Sequence, residues 1–194
     1  MVILGRQAKT LNSAQVRTTL AFLGTTQQPV RNRVIFLLSL KAGLRAKEIA
    51  SITWSMVCDA EGNISDTIRL TDHASKGQSG GYIPIAKELG QSLAALKLYA
   101  DPRSIDRIVQ TNRTTETSAQ TIINLFASWY QTIGFEGCSS HSGRRTFITN
   151  AARNISKFGG SLRDVQALAR HSSLTMTQRY IEIDAQAMRK VVDA

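Results

Sequence analysis

The amino-acid sequence predicts a mainly helical α+β fold with one small antiparallel sheet toward its N-terminal side. Two observations carry this. Apolar residues recur at helical spacing through most of the 194-residue chain. Residues 52–85 break that rhythm with turn chemistry between short β-rich runs.

Taken in order, residues 1–11 read as a flexible lead-in. Ser13 is placed to cap a helix through about Leu23, with Val16, Leu20 and Phe22 or Leu23 turned inward. Pro29 suits the first turn of a second helix reaching Ala42, and Gly43 is a natural cap beyond its end. That helix holds the longest greasy stretch, Val34-Ile35-Phe36-Leu37-Leu38. It is far below the ~20 residues needed to cross a bilayer, so it reads as core. A short helix follows from about Arg45 to Ser51. Asp59-Ala60-Glu61-Gly62-Asn63 is turn chemistry, and Thr67–Leu70 and Tyr82–Ile85 read as strands. Helices resume at about 87–100, 117–133, 141–153 and 161–169, with a last one after Tyr180. Ser161 and Asp164 form a capping-box pattern ahead of the stripe Leu162, Val165 and Leu168. The main domain is expected over 12–180, with 181–194 as a tail.

Composition narrows the function. The 42% hydrophobic content suffices for an ordinary core. Lys and Arg number 24 against 14 Asp and Glu, a formal charge of +10. The basic residues are scattered rather than gathered in an arm, which points to a folded basic surface and to nucleic acid as partner. Charge alone does not identify the polyanion. Neither a secretory leader nor a membrane span is legible, so a cytoplasmic location is expected. Cys58 and Cys138 make no disulfide framework and are expected as buried free thiols. His73, His141 and His171 are the only histidines, and none pairs at metal-ligand spacing. No metal or other cofactor is expected.

Four short stretches carry chemistry. In Arg45-Ala46-Lys47-Glu48-Ile49, Arg45 and Glu48 share a face at i, i+3, so the carboxylate braces a guanidinium able to grip phosphate oxygens bidentately. Lys76-Gly77 lies in the polar turn between the two strands, where a lysine can reach into a site. In His141-Ser142-Gly143-Arg144, a cap at Ser139 or Ser140 puts His141 and Arg144 in the first turn of a helix, on one face, where an anion is favoured. Finally, Ala169-Arg170-His171-Ser172-Ser173 leads to Tyr180. A tyrosine is a poor nucleophile near its usual pKa of ~10 unless cations stabilise the phenolate. Each stretch by itself also fits an ordinary capped helix, a surface ion pair, a solubilising lysine or a packing tyrosine.

Their order is specific. Gly43–Ile49, Lys76-Gly77 with Ile83-Pro84-Ile85, His141–Thr146, and Ala169–Ser173 through Tyr180 together resemble the tyrosine recombinase (phage integrase) family box for box, over about residues 12 to 190. That resemblance implies a site-specific DNA recombinase. Tyr180 would attack the scissile phosphate to give a 3′-phosphotyrosine. Arg45 and Arg144 would hold the non-bridging oxygens, and Lys76 would protonate the leaving 5′-oxygen. His141 would assist proton transfer or orient the phosphate, His171 would hydrogen-bond it, and Glu48 would position Arg45. It further implies double-stranded DNA as substrate, self-association into a tetramer on DNA, and a bacterial, phage or mobile-element origin.

Three departures from the family pattern stand out. Arg45 falls too early for the usual N-terminal DNA-clamping domain to precede it, which implies a shortened piece, a single-domain recombinase or a clamp supplied by an accessory protein. Ser79-Gly80-Gly81 stands where relatives often carry charge. Gly143 replaces a commoner leucine, which bears on local packing. In the tail, Met188, Val191 and Val192 are spaced for a helix face that docks either on a neighbouring subunit or on its own core. The alternative functions are a DNA relaxer of the type IB topoisomerase kind, and a non-catalytic DNA-binding regulator retaining the fold.

Overall fold

The second helix, α2 (Pro29–Ala42), organises the structure because its middle is buried on every side. Val34, Ile35, Phe36, Leu37, Leu38 and Ala42 are wholly buried in it, while Arg33 and Lys41 reach solvent and pair with Glu88. The computed structural model describes residues 7–74, 80–100, 103, 105–111 and 114–180. They belong to two compact units, the first ending at Phe147 and the second beginning at Ile148.

In the first unit, α1 (Ser13–Gly24) is started by Asn12, whose side chain accepts from Gln15 N while the Gln15 side chain returns the bond. The cap is therefore one residue earlier than Ser13. Helix α1 turns Thr19 and Leu23 inward against α2, while Val16, Leu20 and Phe22 are partly buried. Pro29 opens α2, and Gly43 closes it in the left-handed region at φ 63°. Helix α3 (Ala46–Ser51) packs on α2 and on α5 (Ala119–Thr132), and α4 (Lys87–Ala100) covers another side of α2. Ser118 caps α5 through its hydroxyl, so that helix starts slightly later than periodicity suggests.

The sheet is a two-stranded antiparallel ribbon of β1 (Thr67–Leu70) and β2 (Gly81–Pro84), with Ile68 opposite Ile83. Both isoleucines are wholly buried, which sets the register, since a one-residue slip would expose them. Asp72 closes the ribbon's base by accepting from Gly80 N at 2.9 Å. The predicted turn at 59–63 is present, with Asn63 N donating to the Asp59 carboxylate at 2.7 Å. In the lead-in, Lys9 N donates to Gly137 O, and the buried Leu11 donates its amide to Thr146 Oγ1. Cys58 and Cys138 are free but half-buried rather than buried. Burial, ahead of the opposing nearby Lys97, still pushes the Cys58 thiol upward.

Helix α6 (Ser142–Asn154) contributes residues to both units. The second unit continues with a 3-10 turn (Ile155–Phe158), α7 (Leu162–Ala169) and α8 (Leu174–Gln178). The predicted Ser161–Asp164 box caps α7. Of its expected stripe, Val165 is wholly buried, whereas Leu162 and Leu168 are half-buried and Ala169 takes the inner place. No described helix is long and apolar enough to cross a membrane. The helix expected after Tyr180, and the tail 181–194, lie outside the described residues.

Candidate active site

Arg45 stands one residue before α3 with an extended backbone, φ −79° and ψ 159°. It is thus the residue that starts the helix rather than one on its face. The four unpaired amides of a helix start attract an acceptor, and Glu48 supplies it by reaching back to Arg45 N at 2.8 Å through Oε2. Its other oxygen, Oε1, takes Arg45 Nη1 at 2.8 Å. Arginine has no acceptor to return the bond, so only this half of a reciprocal cap exists. Glu48 is 0% exposed while the Arg45 side chain keeps 21%. The pair is therefore no surface ion pair: a buried carboxylate anchors one edge of a guanidinium that still reaches solvent.

Arg144 is held by a different device. Its Nη1 donates to the carbonyl of Gly43, two residues before Arg45, and the side chain is 4% exposed. Gly43 is required twice over. It adopts the left-handed conformation, and a Cβ there would lie 2.6 Å from the Phe147 ring. The loop 43–45 thus anchors Arg144 by one residue and presents Arg45 by another. Gly143 explains how α6 comes so near: a Cβ at that position would sit 2.5 Å from Ser39 Oγ and 3.2 Å from Leu40 N. A leucine, the commoner family residue, does not fit this packing.

Helix α6 starts at Ser142, and His141 stands in the turn that leads into it: Ser142 N donates to Ser139 O at 2.9 Å and Arg145 N donates to His141 O at 2.8 Å. Ser139 makes this start: its hydroxyl accepts from His141 N at 3.3 Å, and its own amide donates to Ser142 Oγ at 3.0 Å. Ser139 is thus the cap, one of the two serines the motif offered. His141 is exposed and Arg144 buried.

In the second unit, α7 ends at Ala169, and Arg170 turns the chain in the left-handed conformation at φ 52°. It is the one non-glycine residue with positive φ among the described residues. His171 follows, 7% exposed. Its amide donates to Gln166 O at 3.1 Å, and its carbonyl accepts from Gln166 Nε2 at 3.1 Å. Its Nδ1 lies 2.9 Å from Thr177 Oγ1. The Tyr180 ring stacks on the imidazole, with centroids 5.6 Å apart and planes inclined by 26°. Ser173 starts α8. Sequence reasoning missed Thr177. A β-branched polar residue one turn before the tyrosine was its only signal.

Lys76 lies in the β1–β2 loop, outside the described residues. His73 borders a separate cavity of about 520 Å³ that also involves Thr53, Arg107 and Glu116. Among the described residues no group of three or more His, Cys, Asp or Glu is placed to hold a metal ion.

The family model described as the phage integrase family matches residues 9–187. The chain belongs to that family. It is similar to the tyrosine recombinase XerA of Thermococcus onnurineus, at 29% identity over 187 residues, covering 94% of this chain and 61% of that protein. It is also similar to the tyrosine recombinase XerC of Yersinia pestis, at 29% over 168 residues, covering 85% of this chain and 52% of the relative. The chain therefore spans between half and two thirds of the length of these relatives. Among solved structures it shares its fold with the Tn1549 transposon integrase in complex with a circular intermediate DNA, at TM-score 0.75 and 18% identity over 100% of this chain and 68% of that one. The crystal structure of XerA recombinase matches at TM-score 0.69 and 20% identity, covering 94% of this chain and 63% of that chain.

Proposed function

We propose that this chain is the catalytic domain of a site-specific DNA recombinase, cutting and rejoining double-stranded DNA through a covalent link to Tyr180. One observation supports this above the others. Two guanidiniums, those of Arg45 and Arg144, are both anchored at the same loop, one by a buried carboxylate and one by the Gly43 carbonyl. Arginines tied at one edge suit the two non-bridging oxygens of a phosphate.

The Tyr180 oxygen attacks phosphorus in line, the P–O5′ bond breaks, and the DNA 3′ end is left on the tyrosine. Arg45 and Arg144 offset the charge that builds on the equatorial oxygens. Lys76 gives its proton to the leaving 5′-oxygen. His141 relays a proton or orients the phosphate, and His171 hydrogen-bonds it. Glu48 acts through Arg45. One phosphodiester is exchanged for another, so the reaction draws on no nucleotide hydrolysis and on no metal. The domain extends over residues 12–180, with 181–194 as a tail that docks either on a neighbouring subunit of a DNA-bound tetramer or on its own core. The Tn1549 integrase, whose fold this chain shares, was solved in complex with DNA, which supports the choice of partner.

A substrate nicked beside the cleavage position traps the covalent species. With it, wild-type protein should form a protein–DNA adduct in EDTA, and Tyr180→Phe should form none. An adduct surviving in that variant would overturn the assignment. DNA binding without any adduct in wild type would favour a non-catalytic regulator, and relaxation of supercoiled plasmid without recombination would favour a topoisomerase.

A further inference from the structure

We infer that Thr177 is a positioning residue that sets the tautomer of His171 and ties it to the nucleophile; this rests on the assignment of Tyr180 proposed above. The argument starts from burial. Thr177 is 0% exposed, though it lies on a five-residue helix whose other members are all exposed. A hydroxyl taken wholly out of water needs a partner, and it lies 2.9 Å from His171 Nδ1. Its carbonyl meanwhile accepts the Tyr180 amide at 3.0 Å. One residue thus touches both members of the stacked pair, the histidine by side chain and the tyrosine by main chain.

Two further contacts hold the histidine in place. Gln166 clamps the His171 backbone at both its amide and its carbonyl. Tyr180 covers a face of the ring at 5.6 Å between centroids. The contact at Nδ1 bears on which ring nitrogen carries the proton. In the inferred tautomer the Thr177 hydroxyl donates to Nδ1, and the proton resides on Nε2. In that form the imidazole is a donor toward a phosphate oxygen without having to be charged. Because the same residue accepts the Tyr180 amide, a movement of α8 that carries the tyrosine carries the ring's anchor with it. Donor and nucleophile therefore stay in register.

The test uses Thr177→Val, which keeps the shape and removes the hydroxyl, and Thr177→Ser, which restores it. On the nicked substrate under single-turnover conditions, Thr177→Val should cleave about tenfold more slowly, the fold-change of one hydrogen bond. Its DNA affinity should stay within about twofold of wild type, and Thr177→Ser should recover most of the rate. Nitrogen-15 NMR of wild-type His171 should report protonation on Nε2. Wild-type cleavage by Thr177→Val, or a proton on Nδ1 in the wild-type spectrum, overturns the inference. The spectrum decides it even if the valine variant does not fold. Tyr180→Phe, run alongside, separates the two levels. Adduct loss there with undiminished cleavage by Thr177→Val removes only the role of Thr177. An adduct that persists in Tyr180→Phe removes the assignment beneath it.

Discussion

Replacing Glu48 by glutamine isolates the contribution of the buried carboxylate, because shape is kept while charge and one acceptor are lost. Glutamine's single oxygen can still take the Arg45 amide, which Glu48 now holds at 2.8 Å. The position facing Arg45 Nη1, also at 2.8 Å, would then carry an NH₂ group. Donor would meet donor. A charge-assisted hydrogen bond contributes about 1.5–3 kcal/mol, and that is the expected loss. It should stay below the ~3–5 kcal/mol of a fully buried broken pair, because the Arg45 side chain is 21% exposed and water takes up part of the released charge. For a chain of this size each kcal/mol moves Tm by about 2–4 °C, so Tm should fall by roughly 3–12 °C. Cleavage at 25 °C, where both proteins remain folded, should drop about ten- to a hundredfold, since a guanidinium freed at one edge no longer waits in place. Thermal denaturation followed by circular dichroism and single-turnover cleavage measure the two effects. A Tm within about 1 °C of wild type together with an unchanged rate would refute the bracing role.

Three more outcomes follow from packing and capping. Gly143→Ala should destabilise by about 1–2 kcal/mol, because a Cβ at 2.5 Å from Ser39 Oγ outweighs the ~1 kcal/mol that helix propensity gives alanine; a higher urea midpoint would refute the close approach. Arg170→Gly should be more stable than Arg170→Ala by about 1 kcal/mol, since both lose the side chain and only glycine relieves φ 52°; equal urea midpoints would count against strain there. Asp164 is held below its ordinary value of 3.8 by the Ser161 main-chain and side-chain hydrogen bonds. A lowered folded value means the cap's contribution is complete above the unfolded value and is lost as pH falls through the folded one. The decline of Tm on acidification should therefore be shallower in Asp164→Asn, and identical profiles would refute the cap's charge.

The elements were legible because their signals are local. Pro29 and Gly43 bracket α2, Ser161 and Asp164 start α7, and alternation marks Ile68 and Ile83. A boundary moved where a neighbouring side chain competed for the same amides: Asn12 took the cap from Ser13. The six candidate catalytic residues were legible through their order along the chain, with no need of a fold. Spacing did not reveal that Glu48 is sealed from water while its partner is not, since i, i+3 geometry is the same on a surface and in a core.

The sequence by itself determined the helical class, the small ribbon, the basic character and the identity of the family boxes. These depend on side-chain type and on separations of a few residues. Tertiary structure alone decided that the Gly43 carbonyl holds Arg144 and that Gly143 admits no Cβ beside Ser39. Each of these depends on two segments approaching to within a few ångströms. Such approach is set by the packing of whole helices and leaves no local trace in either segment.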